Sequence, residues 1–466
     1  MLILSIVACA PREVLLPKLG IEVPVLREFP EGFVPPESYQ TNQPVTGWGG
    51  ARPGEPGGVT RTPVIFVHGN TVSARYWLPA RDYFKAKGYT GDELWAVGYG
   101  WDTVRRFDSN DLAVPTLEKF INSVVNDIHR RTGKRVPQVD VIGHSLGVTV
   151  VRQWMKQENA WHRVRNFIGA CGANHGVWTA RMDARGQNRT VAFELAHGSP
   201  WLEQLNRGGE APGPTRYMTL YDGTGWADVL FPPWSAHSSA LKGAYNLAYN
   251  LEHGTHYDHL ELPRVPETMD AMLKFLGELP PAPDDYPAPR LLHEDARVKT
   301  DLKTARVHCA TGGEYPSRAT AGETEVTLEP GVLTTCFAFD PQSGLASPMQ
   351  RFKRPRAASA PGAEPLTVSA SLPTGVYEDP ITVELKASDP EAFIVYTTSG
   401  SLPNSGSPLY EKPVYVPGTL TLSAMAIAPD GRRSAPLQLR YVVSLEYQDA
   451  VHSLQRQFDP GVDIQP

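Results

Sequence analysis

The sequence predicts an α/β fold with a mainly parallel central sheet, followed by two small all-β domains. Three observations lead there. From Thr62 onward, short apolar runs alternate with stretches whose apolar residues recur at helical spacing. A proline-rich segment, GELPPAPDDYPAPR, ends that texture. Beyond it the runs are short and β-rich, with turn residues between them and no long helical pattern.

The elements follow in order. Met1–Ala10 is apolar without preceding basic residues and resembles the end of a secretory h-region, a remnant kept out of the core. Residues 11–60 are rich in Pro and Gly and predict an arm wrapping a domain surface. Within 61–280, strands are expected at Thr62–Val67, Glu93–Gly98, Gln138–Ile142, Val164–Cys171, Tyr217–Tyr221 and Ala248–Glu252. Helices are expected at Arg75–Lys87, Val114–Thr132, through Met155 and at Pro266–Leu279. Strands alternating with helices require crossover connections, which make the sheet parallel. A linker (281–294), a small β domain (295–355), a second linker (356–365) and a sandwich-like unit (366–446) complete the chain.

Composition narrows the function. The 466 residues are 41% hydrophobic and 20% charged, ample for several cores. With 44 Lys+Arg against 50 Asp+Glu the net charge is −6, so no net basic field favours a nucleic-acid partner. No run of 18 apolar residues occurs, which excludes that signature of a spanning helix. Of the four cysteines, Cys9 lies in IVAC, which reads either as a lipobox that would anchor an exported protein or as a chance small-residue cleavage site. Cys171 sits in an apolar run, and Cys309 and Cys336 flank a short β-rich stretch as a candidate disulfide that export would permit. No CxxC or Cys/His spacing suggests zinc.

The chemistry-bearing motif is Gly143-His144-Ser145-Leu146-Gly147, placed after the strand QVDVI and before the helix VTVVRQWMKQ. A serine on a strained strand-to-helix turn exposes its hydroxyl, and the flanking glycines leave room for close backbone. The helix N-terminus adds a positive dipole end beside a developing oxyanion. A serine nucleophile needs a base and an orienting carboxylate, expected later in the chain as acid and then histidine. The loop after YMTLY holds Asp222 and Asp228. Asp228 is preferred, since Asp222 can simply close the turn. The loop HGTHYDHLEL holds His253, His256 and His259. His259 is preferred because Leu260-Glu261-Leu262 would anchor it, with His256 as the alternative. A backbone N–H of Asn70 in VHGN can pair with that of Leu146 as an oxyanion hole, and His68 is read as structural. Trp77, Trp101, Trp226 and Trp234 are either cleft wall or core.

On FVHGN, VIGHSLG, GANHG, SPWLEQLN, the Asp228 loop and DHLEL, residues 62–278 resemble α/β-hydrolases of the bacterial class 2 lipase type and their polyhydroxyalkanoate-depolymerase relatives. The resemblance implies Ser145 as nucleophile, Asp228 as acid, His259 as base, and Asn70 and Leu146 as oxyanion donors. Ala173 departs from the proline common before Asn-His-Gly, a structural position. PTGVYEDPITVEL, IVYTTSGSLPNSGSPLY and APDGRRSAP resemble the chitobiase/β-hexosaminidase C-terminal β-sandwich, an accessory module. The expectation is therefore an exported serine carboxylester hydrolase that needs no cofactor and no metal. Its substrate would be a lipid or polyester, with polymer or cell-surface contact through the C-terminal unit. Val177–Arg216 would form a cap over the site. The alternative is a surface-attached binding protein built on an inactive hydrolase scaffold.

Overall fold

The structure is a computed structural model describing residues 28–36, 45–70, 72–99, 109–178, 180, 189–251, 256–284, 286–356 and 364–443. Cys9, Trp101 and His253 lie outside the described residues. Seven strands form the main sheet: β1 (Gly47–Gly49), β2 (Val64–Val67), β3 (Leu94–Val97), β4 (Val139–His144), β5 (Val164–Ala170), β6 (Arg216–Asp222) and β7 (Tyr245–Tyr249). Their spatial order is β1-β3-β2-β4-β5-β6-β7. All neighbours from β3 to β7 pair in parallel, and β1 alone is antiparallel. Strands β2 to β5 are buried along their whole length, which is why their sequences are continuous apolar runs instead of alternations.

Helices α1 (Leu78–Ala86), α2 (Asn110–Thr132), α3 (Leu146–Gln157), α4 (Arg189–Leu195), α5 (Pro200–Asn206) and α6 (Pro266–Gly277) cover the sheet. Helix α2 begins four residues before the apolar periodicity and runs through Pro115, with the Ser109 hydroxyl accepting the Leu112 N–H at 3.2 Å as its cap. Gly133, left-handed at φ 72°, closes it.

Two expectations need correction. The Pro/Gly-rich arm enters the sheet as β1, an edge strand whose Trp48 is fully buried and donates its indole N–H to the Ala74 carbonyl. Gly47 and Gly49 permit this, because a Cβ there would fall 2.1 Å from the Phe29 ring and 2.3 Å from the Trp95 ring. The last strand occupies Tyr245–Tyr249, three residues earlier than expected, and Asn250 at φ 61° turns the chain out of it.

Residues 291–353 form a four-stranded sheet and a three-stranded sheet. Cys309 and Cys336 face each other in register across two antiparallel strands and form a disulfide. Tyr315, Phe337, Phe339 and Met349 belong to the same hydrophobic cluster as the main sheet, so this region has its larger core in common with the α/β unit. The last region, from Val368 to Val443, is all-β and has its own core around Val383, Leu422 and Tyr441.

Candidate active site

Ser145 stands between β4 and α3 with φ 54° and ψ −122°, a left-handed conformation that a non-glycine residue adopts only when its surroundings enforce it. Here they do. The Ser145 N–H donates to the Ala170 carbonyl at 2.8 Å, and its own carbonyl accepts the Val148 N–H at 3.0 Å. A Cβ at Gly147 would lie 2.5 Å from the His68 carbonyl oxygen, so the glycine lets α3 start directly against the end of β2. As the first helical residue, Leu146 has an N–H without an intrahelical acceptor.

The loop after β2 presses on the serine from the other side. A Cβ at Gly69 would meet the Ser145 Cβ and the His144 Nδ1, both at 2.8 Å. Asn70 follows directly, its side-chain oxygen buried and without a hydrogen-bond partner among the described residues. His68 is fully buried and stacks on Tyr99 at 4.5 Å. Burial holds it near pKa 4, outweighing its hydrogen bond to Gly69, so it is neutral and structural.

The two carboxylates after β6 have different partners. Asp228, 1% exposed, places Oδ2 2.7 Å from His259 Nδ1. Asp222 turns into its own loop, where Oδ2 accepts the backbone N–H groups of Ala227 and Asp228, each at 2.9 Å, and Oδ1 accepts both donors of Thr224. Burial alone would raise the Asp222 pKa, but these donors outweigh it and hold the group below the ordinary carboxylate range. Cys171 is buried at φ 51°, and burial, with the nearby carboxylates of Asp228, Asp222 and Asp258, pushes its thiol well above its usual pKa.

Of the candidate bases, His259 meets the acid, while His256 is exposed and makes no hydrogen bond among the described residues. The loop holding His259 is tied at three points. Asp258 Oδ1 accepts the Leu260 and Glu261 N–H groups at 2.8 Å each. Tyr76 donates its hydroxyl to the Leu260 carbonyl at 2.9 Å. His144 Nε2 lies 2.9 Å from the His259 carbonyl, so that nitrogen carries the proton and donates. The His144 ring stacks on Tyr76 at 4.5 Å, and burial keeps it neutral well below its ordinary pKa. The residue beside the serine thus fixes the backbone of His259.

His144, Tyr76, Cys171 and Asp258 were not singled out from the sequence as parts of the site. His144 occupies the variable position of G-x-S-x-G, and Asp258-His259-Leu260-Glu261 has the spacing of a side-chain-capped turn, which was the available signal. His144, Cys171 and His259 bring ligand atoms within 4.8 Å of one another, a zinc-type donor set, yet one nitrogen of each imidazole is already bonded to Asp228 or to the His259 carbonyl. Among the four tryptophans, Trp77 is core, whereas Trp226 and Trp234 are exposed.

Comparison with known proteins gives two family matches. Residues 61–223 match Lipase (class 2), and residues 372–438 match the Chitobiase/beta-hexosaminidase C-terminal domain. Among solved structures, the mature form of the Bacillus licheniformis lipase BlEst2 is 17% identical, matching 47% of this chain and 92% of that one with a TM-score of 0.35. Its propeptide form is 13% identical over 84% and 95% with a TM-score of 0.36. Aspergillus fumigatus lipase B is 15% identical over 47% and 53%, also at 0.36. Residues 61–223 are thus similar to class 2 lipases and residues 372–438 to a chitobiase/β-hexosaminidase C-terminal domain, in a chain whose mainly parallel central sheet is followed by a β-rich C-terminal region.

Proposed function

We propose, for a chain that carries a class 2 lipase unit and a chitobiase/β-hexosaminidase C-terminal domain, an exported serine carboxylester hydrolase working through Ser145, His259 and Asp228. The observation that carries this reading is the 2.7 Å contact from His259 Nδ1 to Asp228 Oδ2, in a loop tied to the residue preceding Ser145. Asp228 orients the imidazole and stabilises its charged form. The other ring nitrogen, Nε2, then takes the proton of the Ser145 hydroxyl as it attacks the ester carbonyl. The backbone N–H groups of Asn70 and Leu146 receive the oxyanion, the alcohol leaves with the proton from His259, and water releases the acid from the acyl-enzyme. No cofactor enters the scheme.

Export is supported by the Cys309–Cys336 disulfide, which fits an oxidising compartment, and no described helix is long and apolar enough to cross a membrane. The Cys9 anchor lies outside the described residues. Val177–Arg216, of which 179 and 181–188 lie outside the described residues, is the segment we assign as the cap that selects the acyl group, on the part that holds α4 and α5. Lipid and polyester esters both suit the triad, and the C-terminal unit is the candidate contact to a polymer or cell surface.

The test is hydrolysis of p-nitrophenyl esters from acetate to palmitate by wild type and Ser145→Ala. The expected result is turnover by wild type and its loss in the variant. An inactive wild type, or an active variant, would return the chain to a binding role on an inert scaffold.

A further inference from the structure

Helix α3 carries two buried cations, Arg152 and Lys156, about one turn apart and 6% and 7% exposed. Arg152 donates to the side-chain oxygens of Asn174 at 3.0 Å and Asn206 at 2.8 Å, both neutral amides. Lys156 Nζ donates to the Gln204, Leu205 and Arg207 carbonyls, at the open C-terminal end of α5. Three acceptors use three N–H groups, the geometry of an ammonium. Burial, with the repulsion of Arg152, Arg207 and Arg351, nevertheless pushes the Lys156 pKa well down. A third buried cation, Arg351, lies 4.9 Å from the centre of the Tyr315 ring, over which Lys156 Nζ also sits at 5.6 Å. Arg351 Nη1 donates to the Ser405 carbonyl at 3.1 Å, while its Nε and Nη2 have no partner among the described residues. The buried Tyr315 hydroxyl has none either.

Burying cations away from a countercharge is strongly unfavourable. Among the described residues no carboxylate lies within ion-pair distance of Arg152, Lys156 or Arg351. Glu210 acts on Arg152 and Glu411 on Lys156 only from further away. Glu210 is already engaged, by His175 Nε2 at 3.0 Å and by the Lys242 N–H at 2.6 Å. Space for a small countercharge is present. Arg152, Lys156, Tyr217 and Tyr315 are among the walls of a cavity of about 10 Å³, the room of one small sphere. Tyr217 and Tyr315, with Gly209, Glu210 and Pro212, also wall a cleft of about 540 Å³ between β6 and the 314–319 loop, so the cavity lies directly behind an open approach.

We infer that this cavity is a binding site for one halide-sized monovalent anion, chloride, which the Arg152 guanidinium and the Tyr315 hydroxyl hold while Lys156 and Arg351 supply further charge. The room available excludes phosphate and organic carboxylates. The anion joins α3 to the 291–353 region through Arg152 and Tyr315, and by countering the charge of Lys156 it also secures the end of α5. The site stands independently of the ester-hydrolase reading, since none of its residues touches Ser145, His259 or Asp228.

The experiment is thermal melting of the full chain at a constant ionic strength of about 0.3 M, with sodium chloride replacing sodium gluconate, so that screening is unchanged and site binding varies. Wild type should melt about 2–4 °C higher in chloride. Tyr315→Phe removes a hydroxyl that no described protein group engages, so in gluconate it should melt no lower than wild type. Its rise in chloride should be less than half that of wild type. Arg152→Gln should show no rise; should that variant fail to fold, Tyr315→Phe carries the test by itself. In crystals grown from sodium bromide, an anomalous peak should stand between Arg152 and Tyr315. Equal wild-type melting temperatures in the two salts, an undiminished rise in Tyr315→Phe, or bromide at the protein surface only would overturn the inference.

Discussion

Asp222 Oδ2 accepts the backbone N–H of Asp228 at 2.9 Å, so one acidic residue holds the main chain of the other while the second faces His259. This gives the two carboxylates different expected phenotypes. Asp228→Ala removes the partner of the imidazole and should lower kcat by about 10⁴ with little change in stability. Asp222→Ala removes the four hydrogen bonds that a buried carboxylate accepts and should cost about 2–4 kcal/mol of stability. Its kcat should fall far less than that of Asp228→Ala. Ester turnover and urea melts on the two variants separate the roles, and equal kcat losses would mean that Asp222 touches the reaction.

Gly69 offers a steric test of the oxyanion loop. A Cβ there meets the Ser145 Cβ and His144 Nδ1, both at 2.8 Å, so Gly69→Ala must push the loop carrying Asn70 away from the serine. The expected result is a fall in kcat of about 10²–10³, the scale of losing one oxyanion donor, with KM nearly unchanged. Fluorophosphonate labelling, which needs only an accessible and activated serine, should persist. Wild-type kcat in Gly69→Ala would show that this loop contributes no donor.

Ser145 was legible in the sequence because its geometry constrains neighbours that can be read: an apolar strand before, a helix after, and small residues on each side. The choices between Asp228 and Asp222, and between His259 and His256, were open on residue type. They depend on which side chain turns inward, a property of the folded loops. β1 was illegible for another reason. Gly47-Trp48-Gly49 shows no alternation, and its strand character comes from pairing with Trp95–Val97, far along the chain. The start of α2 was hidden by Pro115, which reads as a breaker unless the Ser109 cap is seen.

The buried histidines set an acid limit. Burial lowers the pKa of His68 to about 4, against about 6.5 in the unfolded chain, and lowers that of His144 as well. Between these values the unfolded chain binds more protons than the folded one, so stability falls as pH drops from about 6.5 to about 4. For His68 alone the gap corresponds to roughly 3 kcal/mol. His68→Phe keeps a ring against Tyr99 and removes the titration. It should be less stable than wild type at pH 7 yet lose less between pH 7 and 4.5, as read by urea melts at both. Parallel losses would assign the acid sensitivity elsewhere.

The C-terminal region is docked on α3, the helix that follows Ser145, which predicts that it cannot be removed as a tethered module can. Thr398 donates its N–H to Gln157 Oε1 at 2.8 Å, and its hydroxyl to the buried Asp111, which also accepts from Gln153 and Trp201. Ser401 donates to Glu158 at 2.6 Å. Burial raises the Asp111 pKa, with Thr398, Gln153 and Trp201 opposing it, so losing Thr398 leaves a carboxylate short of one donor in a dry site. Thr398→Val should therefore destabilise the whole chain by about 1.5–3 kcal/mol, the range for a hydrogen bond to a buried charged group. Deleting residues 364–443 exposes the end of α3, and because Ser145 caps the other end of that helix, ester turnover should fall with the melting temperature. A truncated chain with wild-type melting temperature and turnover would show that the docking carries no energy and that the region is a separable appendage.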